Sequence, residues 1–149
     1  MKIYVASSWR NKHQPQVVAL LRYFGHEVYD FRNPPGRTGF AWESIDPAWQ
    51  NWTVEQYRAA LNHPIARAGF ESDMKALRDC EACVFVLPCG RSASFELGFA
   101  VGQGKRAIVL ALEKTEPELM FADCEVLVSL AELEKACKVV HCARVEAAL

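Results

Sequence analysis

DCEACVFVLPCGRSASFELGFAVGQGKR, residues 79–106, is the stretch that decides the fold. Residues 83–87 form a wholly apolar run, with charge before it and Pro88 after it, the pattern of a strand buried on both faces. Gly90, Arg91, Ser92 and Ser94 follow, small or polar, and helical periodicity begins at once. Phe95 and Phe99 fall on one stripe, and Ala93, Leu97, Ala100 and Gly104 on another. The unit reads as a central strand, a tight loop and the start of a helix.

Glu96 is expected in the first turn of that helix, where free N–H groups and the helix dipole favour negative charge and should keep it ionised. A capping box needs the acid three residues after a Ser or Thr. Ser92 lies four before it and Ser94 two before, so that structural role fits poorly. Ala93 and Ala100 place Glu96 on the small-residue side of the helix, the side that packs close to a sheet. An acid aimed inward at the carboxyl end of a central strand is where α/β folds carry chemistry. The alternative is a surface acid that only stabilises the helix dipole.

Working outward, Lys2–Ala6 is β-rich and opens the sheet. Pro15 suits an early helical position, and Val17, Val18, Leu20, Leu21 and Phe24 repeat at helical spacing until Gly25 stops them. Residues 28–31 make a second strand and residues 33–39 a loop. Two strands joined through a helix imply a parallel pair with a right-handed crossover. Residues 40–57 hold Phe40, Trp42, Trp49, Trp52 and Tyr57 with acids between them. Trp49, Trp52 and Gln56 share a helical face, which predicts an amphipathic helix packed on the core. The other reading is a lid whose aromatic rings, Trp42 among them, stack on a flat ligand. His63-Pro64 breaks the pattern, a further helix runs over residues 65–78, and strands follow at 107–112 and 126–128. A helix over 131–140 closes the series.

These elements predict a single-domain α/β protein: a doubly wound, flavodoxin/Rossmann-like sandwich of five mainly parallel strands in the order 2-1-3-4-5. Strands one and three are then neighbours whose helices leave on opposite faces. That switch point brings Ser7, Ser8, Trp9 and Arg10 beside Gly90, Arg91, Ser92 and Glu96. Hydroxyls, backbone N–H groups and arginine forks suit a phosphate or a sugar. The plainer reading makes the serines turn formers and the arginines solvated.

The chain has 149 residues and a net charge of −1, with Lys and Arg scattered, so neither nucleic acid nor a membrane is expected as partner. No signal-peptide core and no apolar run of about 18 residues is present, which leads to the expectation of a soluble, cytoplasmic protein. Its six cysteines, Cys80, Cys83, Cys89, Cys124, Cys137 and Cys142, are spread through apparent strands and helices, which favours buried free thiols. Cys80-x-x-Cys83 lacks a second pair, and Cys137 with His141 lacks further ligands, so no metal site is expected. No dinucleotide or P-loop fingerprint is found, and no cofactor is expected.

Tyr4-Val5-Ala6-Ser7-Ser8-Trp9, Asp73 with Asp79-x-x-Ala82, and Ser94-Phe95-Glu96-Leu97-Gly98-Phe99-Ala100 followed by Gly104-Lys105 together resemble the nucleoside 2-deoxyribosyltransferase superfamily. That superfamily includes nucleoside transferases and deoxynucleoside 5′-monophosphate N-glycosidases. The resemblance implies that Glu96 attacks the anomeric carbon and forms a covalent glycosyl-enzyme, that Tyr4 orients that carboxylate, and that Asp73 protonates the departing base. It also implies a small-molecule nucleoside or nucleotide as partner, water or another base as sugar acceptor, and a homo-oligomer, a dimer. One departure is Gly90, where the family usually has Asp or Ser. With Arg91, Ser92 and Arg10 nearby, an anionic substrate such as a nucleoside monophosphate is the expectation, with Ser94 completing the loop's hydroxyls. A nucleophile elbow with Ser92 as nucleophile fits poorly, since the second Gly is replaced by Ser94. A non-catalytic nucleotide- or metabolite-binding module on the same fold is the rival reading.

Overall fold

The computed structural model describes residues 1–146, with side chains through Lys138. Five parallel strands, β1 (Lys2–Ala6), β2 (Glu27–Asp30), β3 (Ala82–Val86), β4 (Arg106–Leu110) and β5 (Glu125–Leu127), form one sheet in the order β2-β1-β3-β4-β5. The expected order holds, and among the described residues every strand pairing is parallel. Helices α1 (Gln14–Tyr23) and α5 (Leu130–Glu146) cover one face, while α3 (Pro64–Asp79) and α4 (Arg91–Gly102) cover the other.

Because side chains alternate along a strand, the two faces have separate cores. Ile3, Val5, Ala82, Val84, Val86, Ile108 and Leu110 point to α1 and α5 and meet Val17, Val18, Leu21 and Leu133. Tyr4, Ala6, Cys83, Phe85, Ala107 and Val109 point the other way, against Met74, Leu77, Ala93, Leu97 and Ala100. β3 is buried along its whole length, as its unbroken apolar run requires.

Local sequence sets the helix ends. Asn11 Oδ1 accepts from the backbone N–H groups of His13 and Gln14, and Pro15 pre-sets the first turn of α1. At the other end Gly25 is left-handed (φ +81°), with Gly25 N–H donating to the Arg22 carbonyl and His26 N–H to that of Leu21. This is a Schellman stop. Gly104 (φ +66°) ends α4 in the same way through bonds to Val101 and Ala100. Lys105 then donates its Nζ to the carbonyls of Arg78 and Cys80, both at 2.7 Å, at the carboxyl end of α3. The Gly-Lys pair therefore turns the chain out of α4 and caps α3.

The aromatic segment departs from the single amphipathic helix expected of it. Trp42–Ser44 and Trp49–Asn51 are 3₁₀ turns, and only Val54–Ala60, α2, is α-helical. Asp46 accepts from Ala48 N–H and from the Trp52 indole (2.9 and 2.6 Å), local bonds that compete with a helical backbone, and Pro47 removes a further donor. Gln56 is spent in a capping box with Thr53 rather than on a face with Trp49 and Trp52. Phe40, Trp42, Trp52 and Tyr57 instead pack edge to face, ring centroids 4.7 to 6.1 Å apart. Phe40 lies so close to Gly69 of α3 that a β-carbon there would meet it at 3.0 Å. Among the described residues the cysteines are free thiols, Cys80, Cys83 and Cys137 buried and Cys89 and Cys124 partly so; the side chains of His141 and Cys142 lie outside the described residues.

Candidate active site

Beyond the carboxyl end of β3, residues of α3 and α4 line a cavity of about 350 Å³: Phe70, Asp73 and Met74 from α3, and Arg91, Ser92, Phe95 and Glu96 from α4. Two acids and an arginine thus share one opening. Glu96 enters from α4 as its sixth residue, in the second turn rather than the first, because the helix begins at Arg91. The neighbouring Ala93, Leu97 and Ala100 are all buried, so the side expected to face the sheet does so.

Position and environment reverse the expectation about the charge of Glu96. Burial is the main influence, the negative charge of Asp73 adds to it, and Tyr4 offsets part; together they push the Glu96 carboxyl up to about 8. A dipole effect confined to the first turn does not outweigh that. Asp73 is also raised, by burial, but the Tyr29 hydroxyl and the positive charge of Arg37 hold it back. Interacting acids of this kind share protons as a pair.

A tyrosine stands behind each acid. Tyr4 is fully buried on β1, with its hydroxyl turned toward Glu96, and that hydroxyl makes no full hydrogen bond to any described group. Burial and the two acids keep it protonated far above the ordinary tyrosine range. Tyr29 of β2, paired with Tyr4 in the parallel register, stacks on its ring at 5.3 Å and 17°. Its hydroxyl donates to Asp73 Oδ1 at 2.7 Å and lies 2.9 Å from Ser72 Oγ.

The loop after β1 behaves differently. Ser7 donates its hydroxyl to the Val86 carbonyl (2.9 Å), and Ser8 Oγ accepts from Arg10 N–H. Asn11 Nδ2 donates to the carbonyls of Val86 and Pro88, both at 2.9 Å, pinning this loop to the end of β3. Trp9 packs on Phe31 and on Gly39, with the Arg32 guanidinium over its ring at 5.9 Å. Arg32 in turn donates to the carbonyls of Ser8 and Asn11. Arg10 is exposed.

Of the residues singled out from sequence, Glu96, Asp73, Arg91 and Ser92 line the cavity, and Tyr4 lies beneath it. Ser7, Ser8, Trp9 and Arg10 are in the adjoining loop. Ser94 is exposed and donates its hydroxyl to the Gly90 carbonyl at 3.2 Å. Gly90 is the N-cap of α4 with φ −101°, and a β-carbon there would meet nothing within 4 Å, so neither conformation nor crowding demands glycine. Trp42 sits in the aromatic cluster and is not among the cavity-lining residues. Tyr29, Asn11, Phe70 and Phe95 were not singled out. Tyr29 had one readable signal: it occupies the same place on the second strand that Tyr4 occupies on the first.

Solved structures similar to this chain include two enzymes. One is a 2-deoxyribosyltransferase from the psychrotolerant bacterium Bacillus psychrosaccharolyticus, 20% identical over 90% of each chain with a TM-score of 0.61. The other is a CMP N-glycosidase, BcmB, from Clostridium botulinum, 16% identical over 93% of this chain and 98% of that one, with a TM-score of 0.53. This chain has their fold. No protein-family model and no curated protein matches the sequence.

Proposed function

We propose that this protein is a member of the nucleoside 2-deoxyribosyltransferase superfamily that cleaves the N-glycosidic bond of a nucleoside or nucleoside 5′-monophosphate. The observation that carries the reading is the placing of Glu96 and Asp73 in one cavity, each with a tyrosine behind it. The fold shared with two enzymes of N-glycosidic chemistry supports it.

In the first step a Glu96 oxygen attacks the anomeric carbon as the C–N bond breaks, and the bonding pair leaves with the base, which takes a proton from Asp73. In the second, water or an acceptor base attacks the same carbon, Glu96 departs as carboxylate, and Asp73 takes the proton back. The pair therefore works with one proton, carried by Asp73 at the moment of attack. In the free cavity that proton favours Glu96. Positive charge building at the sugar draws it off, because a carboxylate beside a cationic centre is the favoured form. The Tyr4 hydroxyl, turned toward Glu96, faces an ionised acceptor at the same moment, so that contact strengthens as Glu96 becomes the nucleophile.

Arg91 and the amino end of α4, which no side chain caps, face an anionic group such as a 5′-phosphate. Gly90 leaves room beside them. Phe70 and Phe95 offer apolar surface for a base. The protein acts as a dimer in this reading, with no resident cofactor. No helix among the described residues is long and apolar enough to cross a membrane.

Free-base release from a panel of ribo- and deoxyribonucleosides and their 5′-monophosphates, with and without an acceptor base, tests the proposal. Release that disappears in Glu96→Ala is expected, and dependence on acceptor separates transferase from hydrolase. No release from any substrate, with thermal shifts showing that nucleotides bind, would replace the enzyme by a binding module.

A further inference from the structure

We infer that Tyr29 is a positioning residue that fixes which oxygen of Asp73 carries the transferable proton. The inference rests on the N-glycosidic reading for its kinetic consequence, while the Tyr29–Asp73 link itself stands on geometry alone.

The Tyr29 hydroxyl has one proton, and at 2.7 Å it is given to Asp73 Oδ1. Ser72 Oγ, 2.9 Å away, must then be the donor in its contact with Tyr29. The chain runs in one direction, from Ser72 to Tyr29 to Asp73. Burial keeps Tyr29 above the usual tyrosine range, so its proton stays in place throughout. An oxygen that accepts this bond is a poor place for a second proton. Oδ2 takes no hydrogen bond among the described residues, so a protonated Asp73 carries its proton there, on the oxygen left free for the cavity it lines. The bond also holds the carboxyl in a single rotamer, and the stacked Tyr4 ring holds Tyr29.

The titratable and charged groups facing Asp73 come from four directions: Tyr4 on β1, Tyr29 on β2, Arg37 in the loop after β2, and Glu96 on α4, with Arg91 lining the same cavity. Arg37 favours an ionised Asp73, and the charge of Asp73 in turn raises Glu96. Tyr29 alone among them makes a hydrogen bond to Asp73.

Tyr29→Phe keeps the ring and removes the proton; Ser72→Ala removes the upstream donor and is the second variant if the first is unstable. The Asp73 carboxyl is followed by ¹³C NMR titration in the full chain and assigned by Asp73→Asn. Its midpoint is expected to rise by about one pH unit in Tyr29→Phe and by less in Ser72→Ala. In base-release assays kcat should fall about 10- to 100-fold for ordinary nucleosides, with KM little changed. For an N7-methylated purine nucleoside, whose base departs without a proton, the fall should be under about threefold. An unmoved Asp73 midpoint in Tyr29→Phe overturns the inference, and so does an equal loss of kcat for both leaving groups. Wild-type protein that releases no base from any substrate removes the N-glycosidic reading, and the titration still decides whether Tyr29 governs Asp73.

Discussion

The two faces of the sheet are built from the same strands yet obey different rules. Toward α1 and α5 the buried side chains of β1, β3 and β4 are Ile3, Val5, Ala82, Val84, Val86, Ile108 and Leu110, aliphatic throughout. Toward α3 and α4 the alternate positions bring in Tyr4 and Cys83, and the same layer holds Glu96 and Asp73 at its upper edge. On the first face each large aliphatic side chain contributes about 1.5–3 kcal/mol on burial, and the buried Gln14 of α1 donates to the buried Asp30 of β2 at 2.7 Å. On the second, burial leaves the Tyr4 hydroxyl with no full hydrogen bond, facing Glu96, and drives two carboxyls toward neutrality. The aliphatic face supplies the stability from which the polar face draws, which is the usual relation between a scaffold and a strained site.

Glu96 offers the widest break in that comparison. Glu96→Gln should lower turnover by about 10³-fold or more and yet make the protein more stable at alkaline pH. The carboxyl is raised from 4.5 to about 8 in the folded state, so the native protein holds this proton more tightly than the unfolded chain does. Wild-type stability from that proton is complete below about pH 4.5 and is lost as pH rises to about 8. Glutamine does not titrate. The advantage of Glu96→Gln should therefore open between those limits and level off above them, at about 2–4 kcal/mol. Urea unfolding at pH 4.5, 7 and 9 measures it; a gap that does not grow with pH would place Glu96 in water rather than in the cavity wall.

A cut into the other face should do the opposite. Ile108 is almost fully buried on the aliphatic side of β4. Ile108→Ala should cost about 2–5 kcal/mol, equally at every pH, and leave kcat per folded molecule within about twofold. If kcat falls with stability, the two faces are coupled through β4 and the division drawn above is wrong.

The aliphatic face was legible in the sequence because alternation and unbroken apolar runs report burial directly, and strand-helix alternation then dictates a parallel doubly wound order. Glu96 was legible through a misfit, an acid at the wrong spacing for a capping box. Its turn in α4 was not: Ser92 and Ser94 read as loop, whereas both are exposed residues of a helix whose Ala93, Leu97 and Ala100 are the ones buried. Its charge was misread for the same reason, since desolvation is a property of the assembled cavity. Tyr29 was hidden because a tyrosine on a half-buried strand is ordinary, and its role depends on Ser72 and Asp73 arriving from a helix 43 and 44 residues away. The aromatic segment failed because periodicity cannot weigh Asp46 and its side-chain bonds against a helical backbone.

Tyr4 gives the smallest effect and the sharpest, because its hydroxyl separates function from stability within one atom. Phenylalanine fills the same buried volume and keeps the stack on Tyr29. What goes is an O–H with no full partner in the resting cavity, and a buried group of that kind costs folding about 1–3 kcal/mol. At pH 6 the Glu96 carboxyl, with its midpoint near 8, is largely protonated and has little need of a donor. Tyr4→Phe should therefore be more stable than wild type there, by about 1 kcal/mol. Above pH 8 Glu96 is ionised and the hydroxyl has an anion to serve, so the advantage should shrink or reverse. Turnover should fall about tenfold, because the bond that stabilises the nucleophile is missing when Glu96 gives up its proton. Thermal unfolding at pH 6 and 9 beside base-release kinetics reads both halves, and a Tyr4→Phe protein less stable than wild type at pH 6 would show that the hydroxyl serves the fold instead of the reaction.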